Sequence, residues 1–537
     1  MNQKRNIIAI FLVYLFTVSC SANENNDRNL SELPPIEVSK VITENGKTVF
    51  LVDGIPFPIY GAQIRLDAFI NCDKMSITDV EKYFAKGKEL GVNCLEVSLC
   101  WKMIEPKENI FDFTLIDKIM EYANKYGLKI ELLWFSTNMI GDSFSNLVPA
   151  YILKDSQKRF YRADEGTFSG LYGYRYVLIL NDKWILERET NAVTNLFNHI
   201  HRWDNEHESK HPVITAQIHN EPDGLVRWRM DQQHFAYRDG KPLSKEAAWK
   251  MTLDALDAVG KAVKNSSYKV ATRTNLISGK GINPYPEAPN AKPDDVFQLE
   301  GIDFVSFDPY KTSINEIVSE TLAYASLQGN YPLIAENRGA YTNTPSLMLA
   351  ASVLGGGYDM YDLATSTFIN QNSKPPFDDE GVYTSYLQEK IHTDAVRTIL
   401  KGLIMAAPDI AKTPTKNFAA FNIVDDNPRK EIKQQIQTTS AIISFETVKG
   451  AIGFALDRGN YLLVYATDDA DFSFENGIFS EVICGRYNPS GMFIQEGIST
   501  LKNNKTLNAH GGILYKISYS SQDPLISNTI ENIGRNE

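Results

Sequence analysis

The sequence has 537 residues, which is too long for one ordinary domain and enough for two or three. Hydrophobic residues make up 43% of the chain and charged residues 22%, the balance of an ordinary globular protein. The formal net charge of −12 repels phosphate backbones, and the sequence has no basic stripe or zinc-finger spacing, so we do not expect nucleic acid as a partner.

The beginning of the chain has the pattern of an export signal. A basic start precedes an apolar stretch from Ile7 to Val18, which is too short to span a bilayer. The next pair, Ser19-Cys20, resembles the end of a bacterial lipoprotein signal, which implies a lipid on Cys20. A signal that is simply cleaved and an incidental cysteine are the alternatives. We therefore predict a signal peptide over residues 1–20, a polar tether over residues 21–47, and a lipid-anchored location in the bacterial cell envelope, periplasmic or surface-facing.

Strand-like and helix-like segments alternate from about residue 55 to residue 365, which indicates parallel βα units. Eight short and almost continuously apolar runs are the predicted strands, at 58–65, 93–101, 129–136, 213–220, 269–276, 303–310, 332–336 and 358–363. Helices are predicted at 78–90, 114–126, 184–203, 245–264, 314–328 and 346–354. This order predicts an α/β fold, a (β/α)8 or TIM barrel, within a domain that spans residues 48–410.

Two further regions stand out from this alternation. The longest insertion follows the third strand, from Gly141 to Asp182, and is rich in Tyr, Phe, Gly and Arg. Loops at this end of a barrel carry function, so we expect the insertion to shape a binding cleft. After residue 410 the pattern changes to short alternating segments, which predict a smaller all-β domain, a β-sandwich, over residues 411–525.

Two glutamates close apolar strands of the predicted barrel. Glu221 follows the fourth strand in the segment Gln217-Ile218-His219-Asn220-Glu221-Pro222, and Glu336 ends the seventh strand in Leu333-Ile334-Ala335-Glu336. The fourth and seventh strands face each other across the barrel mouth, where catalytic groups lie. Hydrolysis of a glycosidic bond uses such a pair, one carboxyl group protonated and one ionised. We therefore predict Glu221 as general acid/base and Glu336 as nucleophile, with Asn220 holding a sugar hydroxyl; a solvated rim is the alternative.

These residues resemble those of clan A glycoside hydrolases, in particular the family 35 and family 42 β-galactosidases. Asn220-Glu221 matches the acid/base motif of the clan, and Glu336 matches its nucleophile. Further similar segments are Phe50-Leu51-Val52-Asp53-Gly54-Ile55-Pro56-Phe57, Gly61-Ala62-Gln63-Ile64-Arg65, Trp101 with Glu105-Pro106, and Pro149-Ala150-Tyr151-Ile152. The resemblance covers roughly residues 48–365. It implies a retaining β-glycoside hydrolase that acts by double displacement through a glycosyl-enzyme.

Five more residues are predicted to line the site. Arg65, at the end of strand one, is placed to donate to a sugar hydroxyl, with a structural salt bridge as the alternative. Trp101 and Trp134 end strands two and three, where an indole face can stack on a sugar ring; core packing is the alternative. Tyr310 follows strand six, where a tyrosine of the clan commonly hydrogen-bonds the nucleophile. Tyr361 on strand eight is a further candidate.

The favoured function is an exo-acting, β-galactosidase-like hydrolase of oligo- or polysaccharides. An endo-acting β-glycanase of the same clan, such as a β-mannanase, and a non-catalytic sugar-binding lipoprotein are the alternatives. We predict no cofactor and no metal. Four histidines lie close together in the sequence, but their segment runs from a helix end into the loop before strand four, opposite the mouth. We therefore predict a solvated helix end for His199, His201, His207 and His211.

Overall fold

The structure is a computed structural model. It describes residues 33–44, 46–139, 142–144, 147–154, 160–163, 175–226, 236–238, 241–277, 292–338, 342–364, 390–425, 431–488 and 491–521. Pro35–Glu537 form one compact unit. In these ranges no helix has both the length and the apolar character that a membrane span requires. The predicted lipidation site, Cys20, lies outside the described residues.

The first four strands lie at the amino-terminal end of the barrel and are β1 (Ile36–Glu37), β2 (Ser39–Glu44), β3 (Lys47–Val52) and β4 (Ile55–Pro56). β2, β3 and β4 form an antiparallel sheet. The hydroxyl of Ser39 donates to the carbonyl of Ile214 (2.5 Å) and accepts from the amide of Ala271 (2.9 Å), and Val38 is buried. Part of the tether predicted over residues 21–47 is therefore ordered strand, because its apolar residues pack against the barrel.

The first part of the barrel follows the predicted alternation closely. Its elements are β5 (Tyr60–Ile64), α1 (Leu66–Asn71), α2 (Ile77–Leu90), β6 (Cys94–Cys100), α3 (Trp101–Ile104), α4 (Thr114–Tyr126) and β7 (Lys129–Ser136). The hydroxyl of Ser76 caps α2, a contact that stabilises a helix by about 1 kcal/mol. Gly91 and Gly127, with φ of 91° and 63°, end α2 and α4 in the left-handed conformation that glycine adopts without strain.

The segment between the third and fourth barrel strands contains its own strands. Its elements are β8 (Asn138–Met139), β9 (Asp142–Phe144), α5 (Ala150–Lys154), β10 (Phe160–Ala163), β11 (Arg175–Leu178) and α6 (Lys183–Glu206). The carboxylate of Asp182 accepts hydrogen bonds from two amides of the first turn of α6 and fixes where this long helix begins.

The remaining barrel elements complete eight βα units. They are β12 (Val213–Ile218), β13 (Ala236–Arg238), β14 (Lys241–Pro242), α7 (Lys245–Lys264), β15 (Tyr268–Lys269), β16 (Ala271–Ile277), α8 (Pro293–Phe297), β17 (Phe304–Asp308), α9 (Ile314–Ala325), β18 (Ile334–Arg338), α10 (Thr344–Val353) and β19 (Tyr358–Ala364). The closed barrel has the parallel order β5-β6-β7-β12-β16-β17-β18-β19, and β19 pairs back with β5. β1 pairs with β15 beneath it. The predicted (β/α)8 barrel is confirmed.

Strands from the loops after β7 and β12 form one further sheet, in the order β14-β13-β10-β11-β9-β8. Both loops leave the carboxyl ends of barrel strands, so this sheet lies on the side of the barrel where active sites form. Much of the insertion predicted to shape a cleft, including residues 155–159 and 164–174, lies outside the described residues. The role of the insertion therefore stays a prediction.

After the barrel the chain forms two helices and an all-β module. Its elements are α11 (Lys390–Met405), α12 (Ala407–Lys412), a 3-10 turn at Thr415–Asn417, β20 (Phe418–Phe421), β21 (Ile432–Gln437), β22 (Ile442–Thr447), β23 (Gly453–Asp457), β24 (Tyr461–Ala466), β25 (Ala470–Glu475), β26 (Gly477–Tyr487), β27 (Phe493–Ser499), β28 (Thr506–Ala509) and β29 (Leu514–Ser521). The antiparallel sheets have the orders β20-β23-β24-β29-β26-β27 and β21-β22-β25-β28. The predicted α/β barrel followed by a smaller all-β domain is thus confirmed.

Two apolar clusters hold these parts together. The first fills the space between barrel and helices and continues over α11 onto the six-stranded sheet, where the hydroxyl of Tyr465 donates to the carbonyl of Thr398 (2.6 Å). A side chain on Gly402 would approach the Tyr465 ring to 2.4 Å, so only glycine permits this contact. The second cluster lies between the two sheets, around the stacked rings of Phe421 and Phe445 (5.2 Å).

Candidate active site

The two predicted catalytic glutamates lie at the same end of the barrel. Glu221 directly follows the fourth barrel strand β12, and Glu336 lies in the seventh, β18. Their exposed fractions are only 7% and 6%, so both carboxyl groups are withdrawn from bulk water. The carboxyl ends of barrel strands point to one mouth, which brings these two residues into one site.

Each oxygen of the Glu336 carboxylate accepts a hydrogen bond from a side chain of another part of the barrel. The amide nitrogen of Gln63, on the first strand, donates to Oε1 at 2.8 Å. The hydroxyl of Tyr310, two residues beyond the sixth strand, donates to Oε2. Two donors fix the plane of this carboxylate.

Asn275, which the sequence analysis missed, organises the other side of the site. Its side-chain oxygen accepts the backbone N–H of Glu221 at 3.0 Å. Its amide nitrogen donates to Oδ1 of Asn220 (3.0 Å) and to Oδ2 of Asp308 (2.7 Å). One side chain of the fifth strand therefore orients the Asn-Glu pair of the fourth strand and an aspartate of the sixth.

Glu221 has surroundings unlike those of Glu336. Burial raises the pKa of Glu221 well above its ordinary value, and the nearby carboxylates of Glu336 and Asp223 raise it further. Burial likewise raises the pKa of Asp308, with Glu336 and Glu221 as the next causes. A carboxyl group with a raised pKa keeps its proton near neutral pH and can donate it to a leaving group.

The backbone at the mouth adopts left-handed conformations that residues other than glycine rarely take. Ser136, His219, Glu221 and Tyr310 have φ of 57°, 60°, 43° and 48°. They lie at or just beyond the carboxyl ends of the third, fourth and sixth barrel strands. Each such residue costs roughly 1–3 kcal/mol, and strain of this kind concentrates at functional sites. This backbone conformation sets the directions in which these side chains leave the chain. The residue types at these positions do not predict it from the sequence.

Arg65 and Tyr361 both lie close to the candidate site. The Arg65 guanidinium donates two hydrogen bonds of 3.0 Å to the carboxylate of Asp67. It also lies over the ring of Phe135, 5.2 Å from the ring centroid. The salt bridge considered for Arg65 is therefore formed, while its charge still lowers the pKa of Glu221. The ring of Tyr361 contacts that of Tyr310 edge-on, with 5.7 Å between the centroids.

The rings of Trp101 and Trp134 are buried, so neither has a free face on which a sugar could stack as predicted. Their exposed fractions are 0% and 1%. The Trp101 N–H donates to Glu105 (2.8 Å), and the Trp134 N–H donates to Glu189 of α6 (2.9 Å). Trp134 lies on the face of its strand that packs against α6, and Trp101 begins α3, so both indoles are packed in the core.

The barrel interior below the mouth holds a buried charged group that the sequence analysis also missed. Arg273 donates to Glu96 at 2.5 Å and lies 3.4 Å from Glu131. Ligand atoms of Cys94, Glu131 and Asp359 lie within 4.8 Å of one another, a spacing that a metal ion accepts. Burial raises the pKa of both Glu131 and Asp359, which favours a proton between them, and the neighbouring guanidinium disfavours a cation.

Two of the four histidines near residue 200 pair with aspartates. His199 contacts Asp117 (2.6 Å) and stacks on Phe113, with 4.1 Å between the rings. His211 contacts Asp53 (2.5 Å), just before strand four begins. These contacts belong to the helix end and the loop before strand four, away from the mouth.

Family models match three segments of the chain. Residues 71–239 match the family 42 glycoside hydrolase model, described as "Beta-galactosidase". Residues 251–428 and 2–68 match two models described as domains of unknown function, DUF4978 and DUF4969. No curated protein matches the sequence.

Several solved structures are similar at low identity. An exo-β-1,4-mannosidase from Opitutaceae bacterium strain TAV5 is 11% identical, with a TM-score of 0.46, over 68% of this chain and 63% of its own. A β-galactosidase from the psychrophilic Marinomonas ef1 is 12% identical, with a TM-score of 0.45, over 66% and 62%. A β-galactosidase from Halorubrum lacusprofundi is 12% identical, with a TM-score of 0.45, over 65% and 58%. The chain thus spans less than two thirds of the length of these proteins.

The match over residues 71–239 includes the predicted acid/base motif Asn220-Glu221. Glu336 lies beyond it, within the segment that matches DUF4978. The expected resemblance to clan A glycoside hydrolases is confirmed by the family 42 match over residues 71–239.

Proposed function

We propose that the protein is a retaining, exo-acting β-glycoside hydrolase, similar to the β-galactosidases, with Glu221 as general acid/base and Glu336 as nucleophile. The observation that carries this proposal is the difference between the two carboxyl groups. Glu336 accepts a donor on each oxygen, whereas burial and two nearby carboxylates raise the pKa of Glu221. Opposite environments for two carboxyl groups assign the acid and the nucleophile.

In the first step Glu336 attacks the anomeric carbon and the glycosidic C–O bond breaks. Glu221 gives its proton to the leaving oxygen, and a glycosyl-enzyme ester forms on Glu336. In the second step Glu221 takes a proton from water, the water oxygen bonds to the anomeric carbon, and the bond to Glu336 breaks. Two inversions restore the original configuration, as in retaining enzymes whose carboxyl groups are about 5–5.5 Å apart.

Two features of the site support a sugar as substrate. Asn220 lies beside the proposed acid and is held by Asn275, so its amide nitrogen is placed to meet a hydroxyl next to the reacting bond. Partly exposed Tyr361 lies against Tyr310 and offers an aromatic surface near the nucleophile. The family 42 match over residues 71–239 is the reason to begin with β-galactosides.

The test is turnover of a panel of aryl β-glycosides by the wild type and two variants. Glu336→Ala should lose turnover and recover it with azide, giving an α-glycosyl azide. Glu221→Ala should keep activity on substrates with very good leaving groups, which need little protonation, and should give a β-glycosyl azide. Glu208→Ala, at an exposed position before strand four, is the control and should behave as wild type. Near-normal activity of both site variants on all substrates would contradict the proposal.

A further inference from the structure

The side chain of Gln63 lies between two buried carboxylates inside the barrel. Its amide nitrogen donates to Oε1 of Glu336 at 2.8 Å and to Oε2 of Glu96 at 3.2 Å. Gln63 and Glu96 have an exposed fraction of 0%. Gln63 therefore connects the proposed nucleophile to a second carboxylate deeper in the barrel.

The orientation of the Gln63 amide follows from charge. An amide carbonyl facing two carboxylates would be repelled, so only the nitrogen fits between them. The Gln63 carbonyl oxygen is buried and has no hydrogen-bond partner among the described residues. A buried polar atom rarely lacks a hydrogen-bond partner. The position of the Gln63 side chain is therefore determined by the hydrogen bonds of its nitrogen.

The lower carboxylate is itself held rigidly. Arg273, fully buried, donates to Oε1 of Glu96 at 2.5 Å. The other end of its guanidinium donates to Gln217 (2.6 Å) and Ser306 (3.0 Å). Side chains from the fourth, fifth and sixth strands therefore fix Glu96 on the second strand, and Glu96 fixes Gln63.

We propose that Gln63 is a positioning residue for the reaction: anchored by Glu96 and Arg273 from inside the barrel, it holds the Glu336 carboxylate in the orientation from which it attacks. This role rests on the proposed function, because it concerns the same nucleophile. Tyr310 holds the other oxygen from the mouth side, so both donors are needed to fix the carboxylate plane.

The variant that tests this role is Gln63→Met, which keeps the volume of the side chain and removes its donor. We expect kcat on an aryl β-glycoside to fall about ten- to a hundredfold with KM within about twofold, since a donor to a charged group is lost without loss of substrate contacts. Thr321→Ala is the control: it removes a buried hydroxyl that donates to the carbonyl of Ile317 within α9, outside this network, and should keep kcat within about threefold.

A double variant separates positioning from packing. Glu96→Gln should lower kcat less than Gln63→Met, and Gln63→Met with Glu96→Gln should be no slower than Gln63→Met alone, because Glu96 acts through Gln63. If the two effects multiply instead, or if Gln63→Met retains the kcat of the wild type, the positioning role is wrong.

A readout without turnover keeps this inference separate from the proposed function. The infrared carboxylate band of Glu336 is isolated as the difference between the wild type and Glu336→Gln, and the same difference is taken in the Gln63→Met background. The asymmetric stretch should shift in that background because one hydrogen bond is gone. An unshifted band overturns the inference. A shifted band in a protein that cleaves no glycoside would support the contact with Gln63 while the proposed function fails.

Discussion

The hydroxyl of Tyr310 donates a hydrogen bond to the Glu336 carboxylate from the loop that follows the neighbouring barrel strand. The backbone of Tyr310 is in the left-handed region, with φ of 48°. The contact is the hydrogen bond expected of Tyr310, and its role in the reaction stays a prediction.

Tyr310→Phe should therefore lower kcat by about ten- to a hundredfold, because a hydrogen bond to a charged group contributes about 1.5–3 kcal/mol. The ring and its contact with Tyr361 remain, so KM should change little. The control is Tyr331→Phe, which removes a hydroxyl that accepts from the amide of Ile59 near the amino end of the barrel. Steady-state kinetics of both variants provide the measurement. If Tyr310→Phe and Tyr331→Phe have equal kcat values, the Tyr310 hydroxyl has no role in the reaction.

The second prediction concerns the alkaline limb of the pH–rate profile. Glu221 must be protonated to act as acid, so kcat/KM should fall as pH rises through its raised pKa. Asp223→Asn removes a negative charge that contributes to this raised pKa but keeps an oxygen for the amide of Ile277 (3.1 Å). The alkaline limb should move to lower pH, because the pKa of Glu221 falls when this negative charge is removed.

The matched control for this pH experiment is Asp254→Asn, on the outer helix α7, which should leave the profile in place. A limb that stays fixed in Asp223→Asn, or moves to higher pH, would mean that Glu221 does not determine it.

Much of this site was predictable because each catalytic candidate closes a strand. A charged residue after a short apolar run, as in Ile334-Ala335-Glu336, is visible in the sequence, and counting strands places it opposite Glu221. The partners of these residues were not predictable. Gln63 and Asn275 are ordinary amides within apolar strands, and their roles depend on contacts between residues that are 273 and 54 positions apart in the chain.

The incorrect expectation for Trp134 has a simple geometric reason. Side chains of a strand alternate between its two faces, and the barrel strand that contains Trp134 directs Glu131 inward to Arg273. Phe135 therefore faces the interior and lies under Arg65, while Trp134 faces α6. The sequence shows the alternation but not which face is inside.

A third prediction addresses stability. Arg273 is fully buried between Glu96 and Glu131, so Arg273→Met should leave buried carboxyl groups without their counter-charge and lower the free energy of unfolding by about 3–5 kcal/mol. Arg486→Met breaks an ion pair with Glu496 in which both side chains are more than half exposed, and should cost less than about 1 kcal/mol. Urea unfolding measures both, and similar values for the two variants would refute the buried-charge account.

A fourth prediction concerns location. If Cys20 carries a lipid, the protein partitions with membranes, since two or more acyl chains anchor a protein stably. Cys20→Ser should shift it to the soluble fraction, and Ser21→Ala, the control, should not. Fractionation of cells expressing each variant provides the measurement. Membrane partitioning that persists in Cys20→Ser would mean that another feature holds the protein there.

The central claim is a double displacement by Glu336 and Glu221, and its most direct test is the configuration of the first sugar released. Proton NMR of the anomeric signals during cleavage of an aryl β-glycoside, with and without EDTA, follows the product before mutarotation mixes the anomers. The β-anomer should appear first and at the same rate in both samples, because water replaces the ester on Glu336 from the face that the leaving group left and no step needs a metal. If the α-anomer appears first, or EDTA abolishes turnover, this mechanism is contradicted.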